Sequence, residues 1–237
     1  MIESHIGQNA GLTAASRPVG LVIFDCDGVL VDSEMLSAGV LTGMMEEAGF
    51  QITPEIFRSD FLGRSFASAS LRAAQRFGRP LPEDFEMRYR KRLLAKLETD
   101  LRPMQGVEAV LRSMTAPFCL ATSSSPQRLA VSLAVTGLQP YFEGRCFTAS
   151  EVPNGKPAPD LLYHAARQMG EDAARCIVIE DSEMGIRAAK AAAMPAWHFA
   201  GGAHVKSGYS LPDGVVPDRV IADMDDLRGA FTEIGLC

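Results

Sequence analysis

The sequence has no apolar run long enough to cross a bilayer and no start typical of a secretory signal. Residues 1–18 lack the charged start and the continuous apolar stretch of an exported protein. No later segment approaches the ~18 uninterrupted apolar residues of a membrane helix. We therefore expect a flexible amino terminus over residues 1–18 and a cytoplasmic protein that makes no contact with a membrane.

Paired cysteines and basic runs are absent as well. The 5 cysteines are odd in number and show no CxxC spacing, which favours buried thiols in a reducing cytosol. A net charge of -6 without a basic run gives no electrostatic reason to bind nucleic acid or anionic lipid. Any phosphate group is thus expected to be bound locally. Nothing in the pattern requires a partner chain, so the expected state is a monomer.

The composition is that of an ordinary soluble globular chain. The 237 residues are 47% hydrophobic and 22% charged, which excludes disordered, collagen-like and coiled-coil classes. This length suits one large domain, or one domain that carries a smaller insertion.

Strand and helix patterns take turns along most of the chain, which predicts an α/β fold with a doubly wound parallel sheet. Amphipathic helical patterns separate the predicted strands. Several of these predicted helices end at a glycine, such as Gly137 or Gly170. The predicted strands lie near residues 21–24, 118–121, 145–148, 176–179, 196–199 and 219–222.

One part of the chain departs from this alternation. Residues 54–99 contain helical stretches and no convincing strand pattern. We therefore predict an all-helical cap domain over residues 35–100, inserted between the first and second strands of a core domain. The core is expected to comprise residues 19–34 and 101–237.

The most informative segment runs from Leu21 to Glu34 and reads LVIFDCDGVLVDSE. An apolar strand here ends in Asp25 and Asp27, which are followed by Gly28. Side chains two residues apart in a strand point the same way, so we expect the two carboxylates to converge on one small volume. Like charges that close repel unless a cation lies between them, which predicts a magnesium site.

The other predicted strands also end in polar groups. Ligands of an open parallel sheet bind beyond the carboxyl ends of its strands. One predicted strand is followed by residues with hydroxyl groups at the start of a helix, where a phosphate group can bind. Another predicted strand ends in two acids. A loop at the same edge of the sheet carries a lysine. These residues are Thr122, Ser123, Ser124, Glu180, Asp181 and Lys156.

Each of these signals has an ordinary structural explanation when it stands alone. An Asp-Gly pair is typical of a turn, and hydroxyls before a helix are typical of an N-cap. An acidic pair at the start of a helix suits the helix macrodipole, and a loop lysine is usually solvated. Because all of them occur at one edge of one sheet, a joint functional site is favoured.

The segment FDCDGVLVDSE resembles the first motif of the haloacid dehalogenase superfamily. After residue 18 the chain is similar to the branch of that family with a helical cap, which contains phosphatases and phosphomutases such as β-phosphoglucomutase. The resemblance implies a Rossmann-like core, with Asp25 as the nucleophile and Asp27 as the general acid and base. The remaining family motifs correspond to Thr122, Lys156, and Glu180 with Asp181.

A carboxylate that attacks a phosphate dianion needs charge neutralisation. At about 3 Å and an effective dielectric of ~20, each charge pair costs roughly 5 kcal/mol. We expect Mg²⁺ to be held by the Asp25 carboxylate, the Asp27 backbone carbonyl and Asp181, with Glu180 nearby. The expected reaction is hydrolysis of a small phosphorylated metabolite, a sugar phosphate or sugar-acid phosphate, through an aspartyl phosphate.

The cap is expected to determine substrate selectivity. The stretch FLGRSFAS places Gly63 and Arg64 where relatives present a substrate-reading loop, with a solvated surface arginine as the alternative. Phosphomutases of the family place a histidine in the first cap helix and an arginine in the cap, and this chain has Ser37 and Phe66 at those positions, with Arg64 as the alternative for the arginine. A phosphatase is therefore preferred over a phosphomutase, and a regulator that binds a metabolite without turnover is the remaining alternative.

Overall fold

Short apolar segments of the chain form one six-stranded sheet. A computed structural model describes residues 18–61 and 66–237. Every neighbouring pair of strands is parallel. The strands are β1 (Leu21–Phe24), β2 (Phe118–Thr122), β3 (Cys146–Thr148), β4 (Cys176–Glu180), β5 (Ala196–Phe199) and β6 (Arg219–Ile221).

Strand β1 lies in the interior of the sheet, whose order is β3-β2-β1-β4-β5-β6. Ile23 pairs with Cys119 of β2 on one side and with Val178 of β4 on the other. All of β1, β2 and β4 is buried, because helices cover both faces of a parallel sheet and its strands are therefore apolar throughout. The predicted α/β class with a doubly wound parallel sheet is confirmed.

A run of helices follows β1 in the described chain. The first of them begins after Ser33 and is followed by Gly49, whose positive φ of 80° ends the helical path. The helices are α1 (Glu34–Glu47), α2 (Pro54–Ile56), a π-helical turn (Phe57–Phe61), α3 (Phe66–Phe77) and α4 (Phe85–Asp100).

The two connections between the sheet and these inserted helices lie side by side. The Asp32 amide donates to the Arg102 carbonyl at 3.1 Å, and the Met104 amide donates to the Leu30 carbonyl at 2.9 Å. Both connections thus leave the sheet at one place, as an insertion requires. The cap limits of residues 35 and 100 stay a prediction.

The later helices cover the sheet and complete its two buried layers. Phe24 of β1 packs edge to face against Phe118 and Phe231 in one layer, and such pairs contribute about 0.5–1.5 kcal/mol each beyond their burial. The helices are α5 (Val107–Ser113), α6 (Pro126–Thr136), α7 (Gln139–Phe142), α8 (Asp160–Gln168), α9 (Glu183–Ala191), α10 (Ala203–Lys206) and α11 (Met224–Glu233), with 3₁₀ turns at Ala149–Glu151 and Ala173–Arg175.

Two of the sequence expectations concern unpaired cysteines and helices that could span a membrane. All five cysteines are free, and Cys26, Cys119 and Cys176 are buried. Across residues 18–61 and 66–237, the structure holds no helix with both the length and the apolar character needed to cross a membrane. The expected flexible segment, residues 1–18, lies outside the described residues except for Pro18.

Candidate active site

Lys156 joins two buried acids at the carboxyl edge of the sheet. Its ammonium lies 2.7 Å from Asp25 Oδ1 and 2.8 Å from Glu180 Oε1, and it donates to the Ala121 carbonyl at 3.0 Å. The Lys156 side chain is 3% exposed. The Asp25 amide donates to the Ile179 carbonyl at 2.9 Å, so β4 holds the start of the loop that carries Asp25.

Burial and mutual repulsion disfavour the charged forms of two of the site's acids. Burial raises the pKa of Asp25 to about 7, with Glu180 adding to the rise and Lys156 opposing it. Burial, followed by Glu180 and Asp25, also raises the pKa of Asp181. Burial alone would lower the pKa of Lys156, but the attraction of Asp25 and Glu180 outweighs it. The pKa of the ammonium is therefore raised, and the ammonium stays charged. The site thus holds three buried acids beside one lysine, and further positive charge would favour their ionised forms.

His204 lies behind Asp181 and is almost completely buried. Its Nε2 atom is 3.0 Å from Asp181 Oδ2, and its ring is 1% exposed. Burial lowers the pKa of His204, which keeps the ring neutral at pH 7. Helix α10 reaches this position because the Ala203 amide donates to Asp32 Oδ1 at 3.1 Å. His204 is therefore a buried, neutral neighbour of the Asp181 carboxylate.

Asp27 has a different environment from Asp25. Arg128 Nη2 lies 2.6 Å from Asp27 Oδ1, while the hydroxyls of Ser33 and Ser124 each donate to the carboxylate at 2.5 Å. Burial alone would raise the pKa of Asp27, but Arg128 and these hydroxyls outweigh it and the pKa lies below its usual range. Asp27 is therefore ionised in this arrangement.

Asp25 and Asp27 lie near enough to interact, but their carboxylates have different partners. Strand β1 ends at Phe24, and both aspartates lie in the loop that follows, where side chains no longer alternate between two faces. Gly28, with a φ of 78°, turns this loop. The Asp25 carboxylate faces the acids and Lys156, and the Asp27 carboxylate faces Arg128.

The predicted phosphate-binding hydroxyls lie between β2 and α6. Thr122 ends β2, and its Oγ1 accepts from the Ser124 amide at 3.0 Å. Ser123 is exposed at the cavity. Ser125 is the N-cap of α6, which begins at Pro126, and the Ser125 hydroxyl accepts from the Arg128 amide at 3.3 Å. This N-cap directs Arg128 back toward the loop of Asp27, and the Ser124 hydroxyl is engaged with Asp27 rather than free.

A cavity of about 570 Å³ connects the site with the inserted helices. Its floor contains the acids, Lys156 and the hydroxyls of the sheet edge. Its opposite wall is formed by side chains of α1, α3 and α4, including the stacked rings of Phe66 and Tyr89, whose centroids are 5.2 Å apart. This volume is within the range of pockets that bind small molecules.

The acids of the floor fit a divalent metal ion. Carboxylate oxygens of Asp25, Glu180 and Asp181 all lie within 4.8 Å of one another, and all three residues are buried. Oxygen donors are those that Mg²⁺ prefers, and a cation would relieve the repulsion that raises the pKa values of Asp25 and Asp181. The Asp27 carboxylate is not part of this cluster, and the predicted contribution of its backbone carbonyl stays a prediction.

Several residues that line the cavity were not identified from the sequence. Arg128 and His204 lie in segments that read only as a helix start and a loop, and Glu34 reads only as the first residue of α1. The one available signal for Arg128 was its position three residues after the N-cap Ser125. The predicted cap residues Gly63 and Arg64 lie outside the described residues.

Gly28 is expected to tolerate no side chain. An added Cβ would lie 1.8 Å from Asp181 Oδ2, in a backbone conformation that L residues rarely adopt. Gly28→Ala should therefore lower the unfolding free energy by about 3 kcal/mol, measured by urea unfolding. Gly137→Ala is the matched control, since its φ is 72° and nothing lies within 4 Å of an added Cβ; we expect a loss of about 1 kcal/mol. Equal losses would contradict the close approach of Asp181.

The fold and the site define a class of α/β enzymes that carry a carboxylate cluster at the carboxyl edge of a parallel sheet. A family model for haloacid dehalogenase-like hydrolases matches residues 19–193, and the chain belongs to that family. The expected family and the expectation of a hydrolase are confirmed.

Individual relatives are phosphatases by name. The chain is 28% identical over 186 residues to 6-phosphogluconate phosphatase of Escherichia coli K12, covering 78% of this chain and 84% of the relative. It is 32% identical to a probable pseudouridine-5'-phosphatase of Drosophila melanogaster, covering 75% and 80%. A haloacid dehalogenase family hydrolase from Deinococcus radiodurans, solved with bound phosphate and sodium, is 33% identical, with a TM-score of 0.75 over 92% of this chain and 97% of that chain.

Proposed function

We propose that the protein is a Mg²⁺-dependent phosphatase of small phosphorylated metabolites, sugar phosphates or sugar-acid phosphates, and that it acts as a cytoplasmic monomer. The observation that carries this proposal is the position of Asp25, which lies at a cavity floor, contacts Lys156 and belongs to a cluster of three buried acids. The names of the relatives support the same class of reaction.

The proposed nucleophile is the Asp25 carboxylate. Its oxygen forms a bond to phosphorus while the bond from phosphorus to the ester oxygen breaks, and this gives an aspartyl phosphate. Lys156 and the Thr122 hydroxyl are proposed to hold the phosphate oxygens in line with Asp25. Asp25 and Asp181 are proposed to bind Mg²⁺, with Glu180 nearby. When bound, Mg²⁺ neutralises charge on the phosphate group.

Asp27 is proposed to transfer the protons of both half-reactions. It is ionised in the arrangement described above, which suits the second half-reaction, where it accepts a proton from the water that attacks phosphorus. In the first half-reaction it must carry the proton that it gives to the leaving oxygen. The 2.6 Å contact with Arg128 therefore has to loosen before that step.

The reaction class is tested by phosphate release from p-nitrophenyl phosphate and a panel of sugar and sugar-acid phosphates, with Mg²⁺ and with EDTA. We expect release that depends on Mg²⁺. Isomerisation of glucose 1-phosphate is assayed in parallel, and isomerisation faster than release would favour the phosphomutase instead. The presence of Ser37 on α1, and not a histidine, favours release.

Metal binding is expected to stabilise the fold, apart from any effect on turnover. At Mg²⁺ 100-fold above its dissociation constant, the unfolding free energy should rise by about 2.7 kcal/mol. Asp181→Asn should lose most of this rise because a buried ligand oxygen is replaced by an amide. Thermal unfolding with and without Mg²⁺ measures both effects, and Asp225→Asn, on the exposed surface, serves as the control. An unchanged response in Asp181→Asn would refute its role as a ligand.

A further inference from the structure

The cavity wall opposite the acids contains a cluster of aromatic rings. Phe66 of α3 stacks on Tyr89 of α4, with ring centroids 5.2 Å apart and an angle of 22° between the ring planes. Phe66 also stacks on Phe85, one turn earlier on α4, at 6.3 Å and 26°. Phe85 is 1% exposed and Tyr89 is 7% exposed, whereas Phe66 is partly exposed and lines the cavity. Phe66 is therefore the ring of this cluster that is most open to a ligand.

The apolar surface continues on both sides of these rings. Ala67 of α3 and Leu93 and Leu94 of α4 line the same cavity. A planar ring placed here buries apolar area and stacks on an aromatic face, and both effects are favourable. An open-chain sugar carries hydroxyls along its whole length, and their burial against an apolar wall without partners costs free energy. The wall thus favours a ring over a polyhydroxylated chain.

Polar groups of three helices flank the apolar wall. The Arg90–Glu86 ion pair of α4, the Gln127 amide of α6 and the Ser70 hydroxyl of α3 all line the cavity. Together they offer hydrogen-bond donors and acceptors beside the rings. A nitrogen heterocycle has apolar faces and an edge of donors and acceptors, so it matches this combination better than a hydrocarbon ring does.

A short series of contacts joins the rings to the reacting end of the cavity. The Tyr89 hydroxyl donates to the Ser37 carbonyl at 3.4 Å, and the Ser37 hydroxyl accepts from Arg128 Nη2 at 3.0 Å. The same Arg128 nitrogen lies 2.6 Å from Asp27 Oδ1. The rings and the proposed catalytic carboxylates thus line one cavity of about 570 Å³, so a single ester can present its phosphate to the acids and a ring to Phe66.

We infer that the wall formed by Phe66 and Tyr89 binds a planar heterocycle on the leaving group. This inference rests on the proposed phosphatase activity and narrows the sugar phosphates to those whose sugar carries such a ring, as in a nucleoside 5'-monophosphate. Phe66 then acts as a specificity residue, because only substrates with a ring gain the stacking contact.

The test uses esters that differ in the presence of a base. Adenosine 5'-monophosphate, uridine 5'-monophosphate and ribose 5-phosphate are esterified at the same carbon of the same sugar, and only the first two carry a base. With saturating Mg²⁺, the wild-type kcat/KM should be about tenfold or more higher for the faster nucleotide than for ribose 5-phosphate. Phe66→Leu should bring this ratio to within about threefold, mainly by lowering kcat/KM for the nucleotide. Phe66→Tyr, which keeps a ring, should keep the ratio.

The control variant is Phe77→Leu, which makes the same exchange on α3 where Phe77 packs against Phe50 outside the cavity. It should leave the wild-type ratio unchanged. A wild-type ratio below about threefold would overturn the inference, as would an unchanged ratio in Phe66→Leu or a lost ratio in Phe66→Tyr. Hydrolysis of ribose 5-phosphate with neither nucleotide cleaved would overturn it while the phosphatase proposal stands. No release from p-nitrophenyl phosphate or from any of the three esters would refute the proposed function itself.

Discussion

Asp25→Asn is expected to lower kcat by about 10⁴-fold or more while the protein stays folded. An amide oxygen is a poor nucleophile toward phosphorus, and no other described carboxylate contacts Lys156 except Glu180, which is 1% exposed. The substitution is nearly isosteric, and its Oδ1 can still accept from Lys156. Steady-state phosphate release measures the loss, and circular dichroism checks the fold.

Asp25→Asn is expected to lose turnover but to gain stability when no metal is present. Because folding raises the pKa of Asp25 from 3.8 to about 7, the native state holds a proton in that pH range that the unfolded chain has lost. The contribution of Asp25 to stability therefore falls as pH rises from 3.8 to about 7. In EDTA, Asp25→Asn should gain stability over the wild type across this window and keep the gain at pH 8.

Asp225→Asn is the control for both measurements, since this aspartate is 87% exposed and outside the site. It should change neither turnover nor the pH dependence of unfolding. Retention of more than a few per cent of wild-type turnover by Asp25→Asn would remove Asp25 as the nucleophile. A loss of stability at pH 8 in EDTA would contradict the repulsion described for the cluster.

The sequence predicted the sheet and the residues at its edge because both depend on local patterns. Buried parallel strands are continuous apolar runs, and the polar residue that ends each run lies at the carboxyl edge. Asp25, Thr122 and Glu180 were therefore assigned to one edge from their positions alone. Lys156 was assigned from its loop and from the family resemblance.

The orientation of side chains in loops and on inserted helices could not be predicted in the same way. Whether Asp27 faces Asp25 or Arg128 depends on the turn at Gly28 and on the angle of α6, which are set by tertiary packing. Glu34 faces the cavity only because α1 packs against α4 across the site. A helical period predicts which residues share a face, and it does not predict what that face contacts.

Lys156→Met is expected to lower the unfolding free energy of the metal-free protein by about 3–5 kcal/mol. The substitution keeps the apolar stem and removes the ammonium from between two buried acids, Asp25 and Glu180. The Ala121 carbonyl loses its donor as well. Urea unfolding in EDTA measures the loss. Lys190→Met is the matched control, because the ion pair of Lys190 with Asp218 is 42% and 45% exposed and such pairs contribute about 1 kcal/mol or less.

Mg²⁺ should restore part of the stability that Lys156→Met loses. The acids left without Lys156 form the same cluster that is proposed to hold the metal, so a bound cation replaces some of the missing positive charge. The rise in unfolding free energy on adding saturating Mg²⁺ should thus be larger in Lys156→Met than in the wild type, while phosphate release stays low because the phosphate oxygens lose their ammonium donor. If Lys156→Met and Lys190→Met lost equal stability, Lys156 would not be the charge that holds these buried acids together. If Mg²⁺ stabilised the wild type and Lys156→Met equally, the lysine and the metal would not share one cluster.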